Sequence, residues 1–121
     1  MPRFVIHNHH TRKLHYDLRL ELDNILKSWA VPKEPPKQKG LKRLAIQVDD
    51  HDLNYIDFEG KIPEGFYGAG IVKIWDKGYF DLIERNKEKI VFRLNGKKLR
   101  GVYCLIRFET KEKNTWLFFK K

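Results

Sequence analysis

Apolar and polar residues alternate with a period of two along most of the chain, in short segments separated by polar breaks. The clearest is LHYDLRLEL (14–22), where Leu14, Tyr16, Leu18, Leu20 and Leu22 fall on one face and His15, Asp17, Arg19 and Glu21 on the other. FVIH (4–7), ILKSWAV (25–31), RLAIQV (43–48), IVKIW (71–75), YFDLIER (79–85), KIVFRL (89–94), VYCLIRF (102–108) and TWLFFK (115–120) follow the same rule and are rich in β-branched and aromatic side chains. Turn chemistry fills the breaks at Asp23-Asn24, Lys77-Gly78, Asn86 to Glu88, Asn95-Gly96 and Lys111 to Asn114, so antiparallel hairpins are expected. No segment sustains a helical period. Short strands in a small domain must close or stack to bury one face and hide their edges. The pattern therefore predicts an all-β fold, a compact closed barrel of about eight antiparallel strands with at most a short helix. A β-sandwich is the second architecture compatible with it.

Two connections exceed a hairpin turn. PKEPPKQKG (32–40) is rich in proline and lysine and reads as an exposed, semi-extended loop. DDHDLNYIDFEGKIPEGFYGAG (49–70) is longer than a small domain leaves structureless, which points to a functional loop or a short helix. Its glycines, in IPEGFYGAG (62–70), do not form a phosphate loop, because the terminal Lys-Ser/Thr and a following helix are both missing. They read as backbone geometry before the strand at Ile71.

Composition narrows the class. With 121 residues, 41% of them hydrophobic and 13% aromatic, the chain suits one domain over 1–121 that folds without disulfides or a stapling metal. The single Cys104 reads as an apolar filler in a reducing compartment, and no signal peptide or apolar run long enough for a membrane span is present. A soluble, cytoplasmic protein with no membrane partner is expected. A formal charge of +9 favours a polyanionic partner, nucleic acid above all.

The polar face of 14–22 carries candidate chemistry. His15 and Asp17 stand two apart, about 7 Å along a strand, and Arg19 follows. Histidine and aspartate ligate metals, whereas arginine clamps an anion, so the order suggests a metal site beside a phosphate site. His7 and His9 share one parity of the preceding segment, and pairing of the two segments would bring one of them over His15 and Asp17. Such a set suits Mn²⁺ or Zn²⁺. His10, beside Thr11, Arg12 and Lys13, reads as a turn residue. No serine elbow or Cys/His nucleophile arrangement is present, which argues against covalent catalysis.

The run FVIHNHHTRKLHYDLRLELDNILKSWAVPK, followed by RLAIQVDDHDLNYIDFEGKIPEGFYGAG and IVKIWDKG, resembles the 3′-phosphoesterase domain of bacterial DNA ligase D and its free-standing relatives, over nearly the whole chain. The resemblance implies a β-barrel enzyme that heals 3′ ends for end-joining DNA repair. Such an enzyme removes a terminal 3′ ribonucleotide or 3′-phosphate with a divalent metal, preferably Mn²⁺, with Co²⁺ or Zn²⁺ as alternatives. By the same resemblance His9, His15 and Asp17 match the metal ligands, Arg19 and His51 match residues on the reacting phosphate, and Lys33, Arg43 and Tyr55 match further members of the pocket. The implied partners are DNA or RNA-tipped DNA 3′ ends and a DNA ligase acting in trans.

Three departures from the family accompany the match. Position 7 is His where the family more often has Gln, adding a fourth potential ligand; position 66 is Phe where it often has Glu; and only Met1, Pro2 and Arg3 precede the first strand, where many members carry a charged leader. The competing reading is a non-catalytic barrel that binds single-stranded nucleic acid by stacking on Trp29, Trp75, Trp116 and exposed tyrosines. Asp17 discriminates between the two, because a binding platform needs no carboxylate in a basic groove.

Overall fold

The computed structural model describes residues 1–110 and 112–121, and over them the expected all-β barrel is present. Nine strands lie among the described residues: β1 (Arg3–His10), β2 (Leu14–Leu22), β3 (Ile25–Val31), β4 (Lys42–His51), β5 (Gly60–Ile62), β6 (Gly70–Arg85), β7 (Lys89–Asn95), β8 (Arg100–Arg107) and β9 (Thr115–Lys120). Eight close a barrel in the order β1-β2-β3-β4-β9-β8-β7-β6, with β6 pairing back onto β1. The short β5 lies along the first half of β6 and β7 along its second half. Every pairing is antiparallel, and closure leaves no long open edge.

Local chemistry explains most of the hairpins. Asp23 and Asn24 both adopt φ near +60°, the left-handed pair that a two-residue hairpin needs to match strand twist. Asn114 is left-handed as well, at the end of the turn before β9; Lys111, which opens that expected turn, lies outside the described residues.

The expected hairpin at Lys77-Gly78 does not form, and β6 runs unbroken across it. Gly78 serves a close approach instead, since a Cβ there would collide with the Asn95 carbonyl oxygen. Buried Asp76 explains the neighbouring turn: its carboxylate accepts from the backbone N–H of Lys97 at 2.8 Å and of Leu99 at 2.9 Å. That carboxylate replaces the ladder partners which the residues of the 96–99 turn lack.

Inward-facing Phe4, Ile6, Leu18, Leu20, Phe92 and Phe118 fill the barrel. Complete burial of such side chains contributes roughly 1.5–3 kcal/mol each. Trp29 and Trp116 belong to this interior, 1% and 4% exposed and packed edge to face at 5.7 Å, and Trp75 packs against its margin. The two buried indoles therefore cannot stack on an external strand, and the expectation that they form a binding platform is overturned.

A second, smaller cluster decides where the site lies. Val5 and Leu26 alternate with the inward residues of β1 and β3, so they face out of the barrel, where Ile56 covers them. Ile56 belongs to a 3₁₀ turn, Leu53–Asp57, within the long 49–70 connection. That connection is thus pinned over the outer face of β1, β2 and β3. Among the described residues no helix is long and apolar enough to cross a membrane.

Candidate active site

The polar face of β2 points outward, yet it is not a solvated face. Asp17 is 5% exposed and Arg19 4%, because the 49–70 segment roofs them. Strand register completes the arrangement: His9 faces His15 and His7 faces Asp17 across β1 and β2, while Arg19 faces Ser28 across β2 and β3. A cavity of about 310 Å³ opens here, lined by His9, His15, Asp17, Arg19, His51 and Tyr55 among others.

Three of these residues form a group that could hold a metal ion. One ligand atom each of His9, His15 and Asp17 lie within 4.8 Å of one another. His9 Nδ1 is 3.5 Å from Asp17 Oδ2, and His15 Nε2 is 3.4 Å from Asp17 Oδ1. Such spacings are long for hydrogen bonds but suit donors that share one cation through bonds of about 2.0–2.2 Å. The donor chemistry fits too. His9 Nε2 lies 2.7 Å from the Gly68 carbonyl oxygen, which makes Nε2 the protonated nitrogen and leaves the Nδ1 lone pair directed at the group.

Arg19 organises the other half. Its Nε donates to His7 Nδ1 at 3.1 Å, one NH1 hydrogen to Ser28 Oγ at 2.8 Å, the other to His51 Nδ1 at 3.1 Å, and NH2 to Asp17 Oδ2 at 3.3 Å. Guanidinium has five donors and no acceptor. Four are spent on positioning, and one N–H of NH2 remains. Because Arg19 can only donate, Nδ1 of His7 must accept, which places its ring proton on Nε2; His51 Nδ1 meets Arg19 at 3.1 Å and the Asp49 carbonyl oxygen at 3.2 Å, two contacts that select opposite tautomers. The Nε2–H of His7 then donates to the Phe58 carbonyl at 3.1 Å.

Electrostatics follow from this geometry. Burial pushes the His7 pKa down to about 4, with the Arg19 charge acting in the same direction. His51 is lowered for the same two reasons, burial first. Burial alone would raise Asp17, but its contacts with His15 and His9 and the Arg19 charge outweigh it and hold the carboxyl well below the usual range. His9 is raised, chiefly by Asp17. The site thus keeps a carboxylate beside Arg19 and biases His7 and His51 to the neutral form, whereas His9 must give up the proton that Asp17 favours before its ring nitrogen can hold a cation.

Tyr55 completes the roof. Its ring stands 5.0 Å from the Arg19 guanidinium carbon, 4.6 Å from the His51 ring and 5.2 Å from the His7 ring. Burial raises its hydroxyl pKa.

Most of the residues singled out from the sequence meet here, but two do not. Lys33 is exposed in the loop after β3, and Arg43 on β4 donates to the Glu34 carbonyl at 2.8 Å; neither lines the cavity. His51, expected within a loop, is instead the last residue of β4. His7 stands outside the metal-holding group, because both of its ring nitrogens are engaged by Arg19 and Phe58. Ser28, Phe58 and Gly68 were not singled out. Only Ser28 carried a sequence signal, a hydroxyl on the same parity as apolar Leu26 and Ala30; the other two act through backbone carbonyls, which no side-chain pattern displays.

Residues 7–107 match the sequence profile described as the DNA ligase D 3′-phosphoesterase domain. The multifunctional non-homologous end joining protein LigD of Pseudomonas aeruginosa is 47% identical over 124 residues, 98% of this chain and 15% of the relative. The multifunctional non-homologous end joining DNA repair protein LigD of Mycobacterium tuberculosis is 47% identical over 108 residues, 86% of this chain and 14% of the relative. LigD of Mycolicibacterium smegmatis is 44% identical over 126 residues, 95% of this chain and 16% of the relative. The chain thus spans only 14% to 16% of the length of these relatives.

Proposed function

Because this chain belongs to the DNA ligase D 3′-phosphoesterase domain family, we propose that it is a metal-dependent hydrolase that heals polynucleotide 3′ ends for non-homologous end joining. In this reading the chain acts as one domain over 1–121, removes a terminal 3′ ribonucleotide, a 3′-phosphate or both, and leaves a 3′-hydroxyl for a DNA ligase acting in trans. Mn²⁺ is the proposed metal, with Co²⁺ and Zn²⁺ as alternatives.

One observation carries the reading: three metal-type donors, His9, His15 and Asp17, face Arg19 and His51 across one cavity. A divalent ion held by those three residues supplies Lewis-acid stabilisation of the negative charge that gathers on a phosphate under attack. Arg19, rigidly held, directs its remaining N–H at the same charge without reorganisation. His51 turns Nδ1 toward Arg19 and the Asp49 carbonyl, so Nε2 is the ring nitrogen left to face a phosphate oxygen or a departing alkoxide, to which its protonated form donates. Tyr55 shields the guanidinium from water, and Lys33 and Arg43, off the cavity, contact the strand beyond the reacting phosphate.

The test is incubation of metal-stripped protein with a labelled primer-template ending in one 3′ ribonucleotide or in a 3′-phosphate, with and without Mn²⁺, beside Asp17→Ala. End trimming that needs both Mn²⁺ and Asp17 is the expected result. Tight strand binding with no trimming under any divalent metal would sink the proposal.

A further inference from the structure

The loop joining β5 to β6 presents an aromatic side chain that the chemistry above leaves unused. Tyr67 is 95% exposed, the extreme among the large exposed apolar and aromatic residues, yet it lines the same cavity as His9, Arg19 and His51. A lone exposed aromatic elsewhere on a surface needs no explanation. This one stands at the mouth of a cavity whose floor is built for a phosphate.

The loop is also held in place. Phe66 N–H donates to the Pro63 carbonyl at 3.3 Å and Ala69 N–H to the Phe66 carbonyl at 3.2 Å. The next residue along, Gly68, accepts from His9 Nε2 at 2.7 Å, so the backbone beside Tyr67 is tied directly to a proposed metal ligand. Gly68 adopts φ +78° and Gly70 φ +141°, and a Cβ on Gly70 would collide with the His10 carbonyl oxygen. Gly70 brings the loop against the end of β1 at a place where a side chain would hold it off, and Gly68 supplies the left-handed backbone of the turn.

An anion site with an aromatic face on its rim matches the two halves of a nucleotide, phosphate below and base above. We propose that the Tyr67 ring is the seat on which the terminal nucleobase of the processed strand stacks. The inference rests on the end-healing reading and deepens it by naming a substrate-binding residue outside the metal and phosphate set. Every base offers a π-face, so the seat accepts any of the four, as end repair demands, and a positioned loop loses little freedom on binding.

The experiment compares wild type, Tyr67→Phe, Tyr67→Ala and the control Phe66→Ala, an exposed neighbour that does not line the cavity. Substrates are a primer-template ending in one 3′ ribonucleotide and the same duplex with an abasic terminal ribose, in Mn²⁺. Tyr67→Ala is expected to raise KM about fivefold or more on the base-bearing end, the scale of one lost base stack, with kcat little changed. Tyr67→Phe and Phe66→Ala stay near wild type. On the abasic end wild type falls to the level of Tyr67→Ala, and the substitution has no further effect.

A second readout is the fluorescence change of a terminal 2-aminopurine on binding to metal-free protein, expected for wild type and lost in Tyr67→Ala. Equal KM for wild type and Tyr67→Ala, or equal losses on both ends, overturns the seat while leaving end healing intact. A Tyr67-dependent fluorescence change without any trimming overturns the reading of function and keeps the seat; no such change overturns the seat whether or not trimming occurs.

Discussion

His7 Nδ1 accepts a hydrogen bond from Arg19 Nε at 3.1 Å while its other nitrogen faces the Phe58 carbonyl, so a fully buried imidazole acts as a bridge between β2 and the 49–70 roof. A neutral histidine of this tautomer presents one acceptor and one donor, as a glutamine carboxamide does. The departure from the family at position 7 is therefore chemically small, and the histidine orients Arg19 instead of adding a fourth ligand.

His7→Gln is accordingly expected to retain end-processing activity within a few-fold, whereas His7→Leu leaves a guanidinium N–H and a carbonyl buried without partners. The leucine variant should lose about 2–4 kcal/mol of stability and most of its activity. Denaturant melts of both variants beside their kcat/KM check this, and equal behaviour of the two would count against the bridging role.

The same residue sets a pH dependence in the metal-free protein. His7 titrates near 6.5 when unfolded and near 4 when folded, so between those values the unfolded chain binds a proton that the native one refuses. Its contribution is complete above pH 6.5 and is lost as pH falls toward 4, up to about 3 kcal/mol. His51, also lowered, acts in the same sense. His9, raised by Asp17, acts in the opposite one, since its contribution is present below pH 6.5 and lost as pH rises through its folded value. Subtracting the His7→Gln curve from wild type isolates the His7 part; a flat difference between pH 4 and 7 contradicts it.

Asp17→Asn keeps the shape of the side chain and removes the charge that makes the His9, His15 and Asp17 group attractive to a cation. Calorimetric titration with Mn²⁺ should show binding in wild type and at least a hundredfold weaker uptake in the variant, on the scale at which metal affinity responds to its ligands and their supports. Undiminished uptake by Asp17→Asn would move the metal elsewhere.

Arg19→Lys is not a conservative change here. One ammonium cannot donate in the four directions that His7, Ser28, His51 and Asp17 occupy, so the substitution loosens the roof as well as the proposed phosphate contact. A loss of about 10²–10³ in kcat is expected, the scale of one preorganised donor removed, together with a lower melting temperature. Retention of wild-type kcat would show that Arg19 does not face the reacting phosphate.

Much of this protein is legible in its sequence, because a period of two has a single physical meaning in a chain with turn residues at its breaks. The alternation in 14–22 alone puts His15, Asp17 and Arg19 on one face, and the positive-φ pair Asp23-Asn24 marks its hairpin. Where two signals compete, the pattern misleads: glycine at Lys77-Gly78 signals a turn, yet only the approach of the Asn95 carbonyl reveals why the side chain had to be absent. The remainder belongs to tertiary structure. Register set His9 opposite His15 and Arg19 opposite Ser28, and folding of the 49–70 segment onto Val5 and Leu26 turned an apparently solvated strand face into a buried site. Backbone carbonyls at Phe58 and Gly68 then chose the imidazole tautomers. Spacing along one strand is a local property that residue types encode directly, whereas register, roofing and carbonyl direction depend on contacts between segments dozens of residues apart, which the closed barrel alone brings together.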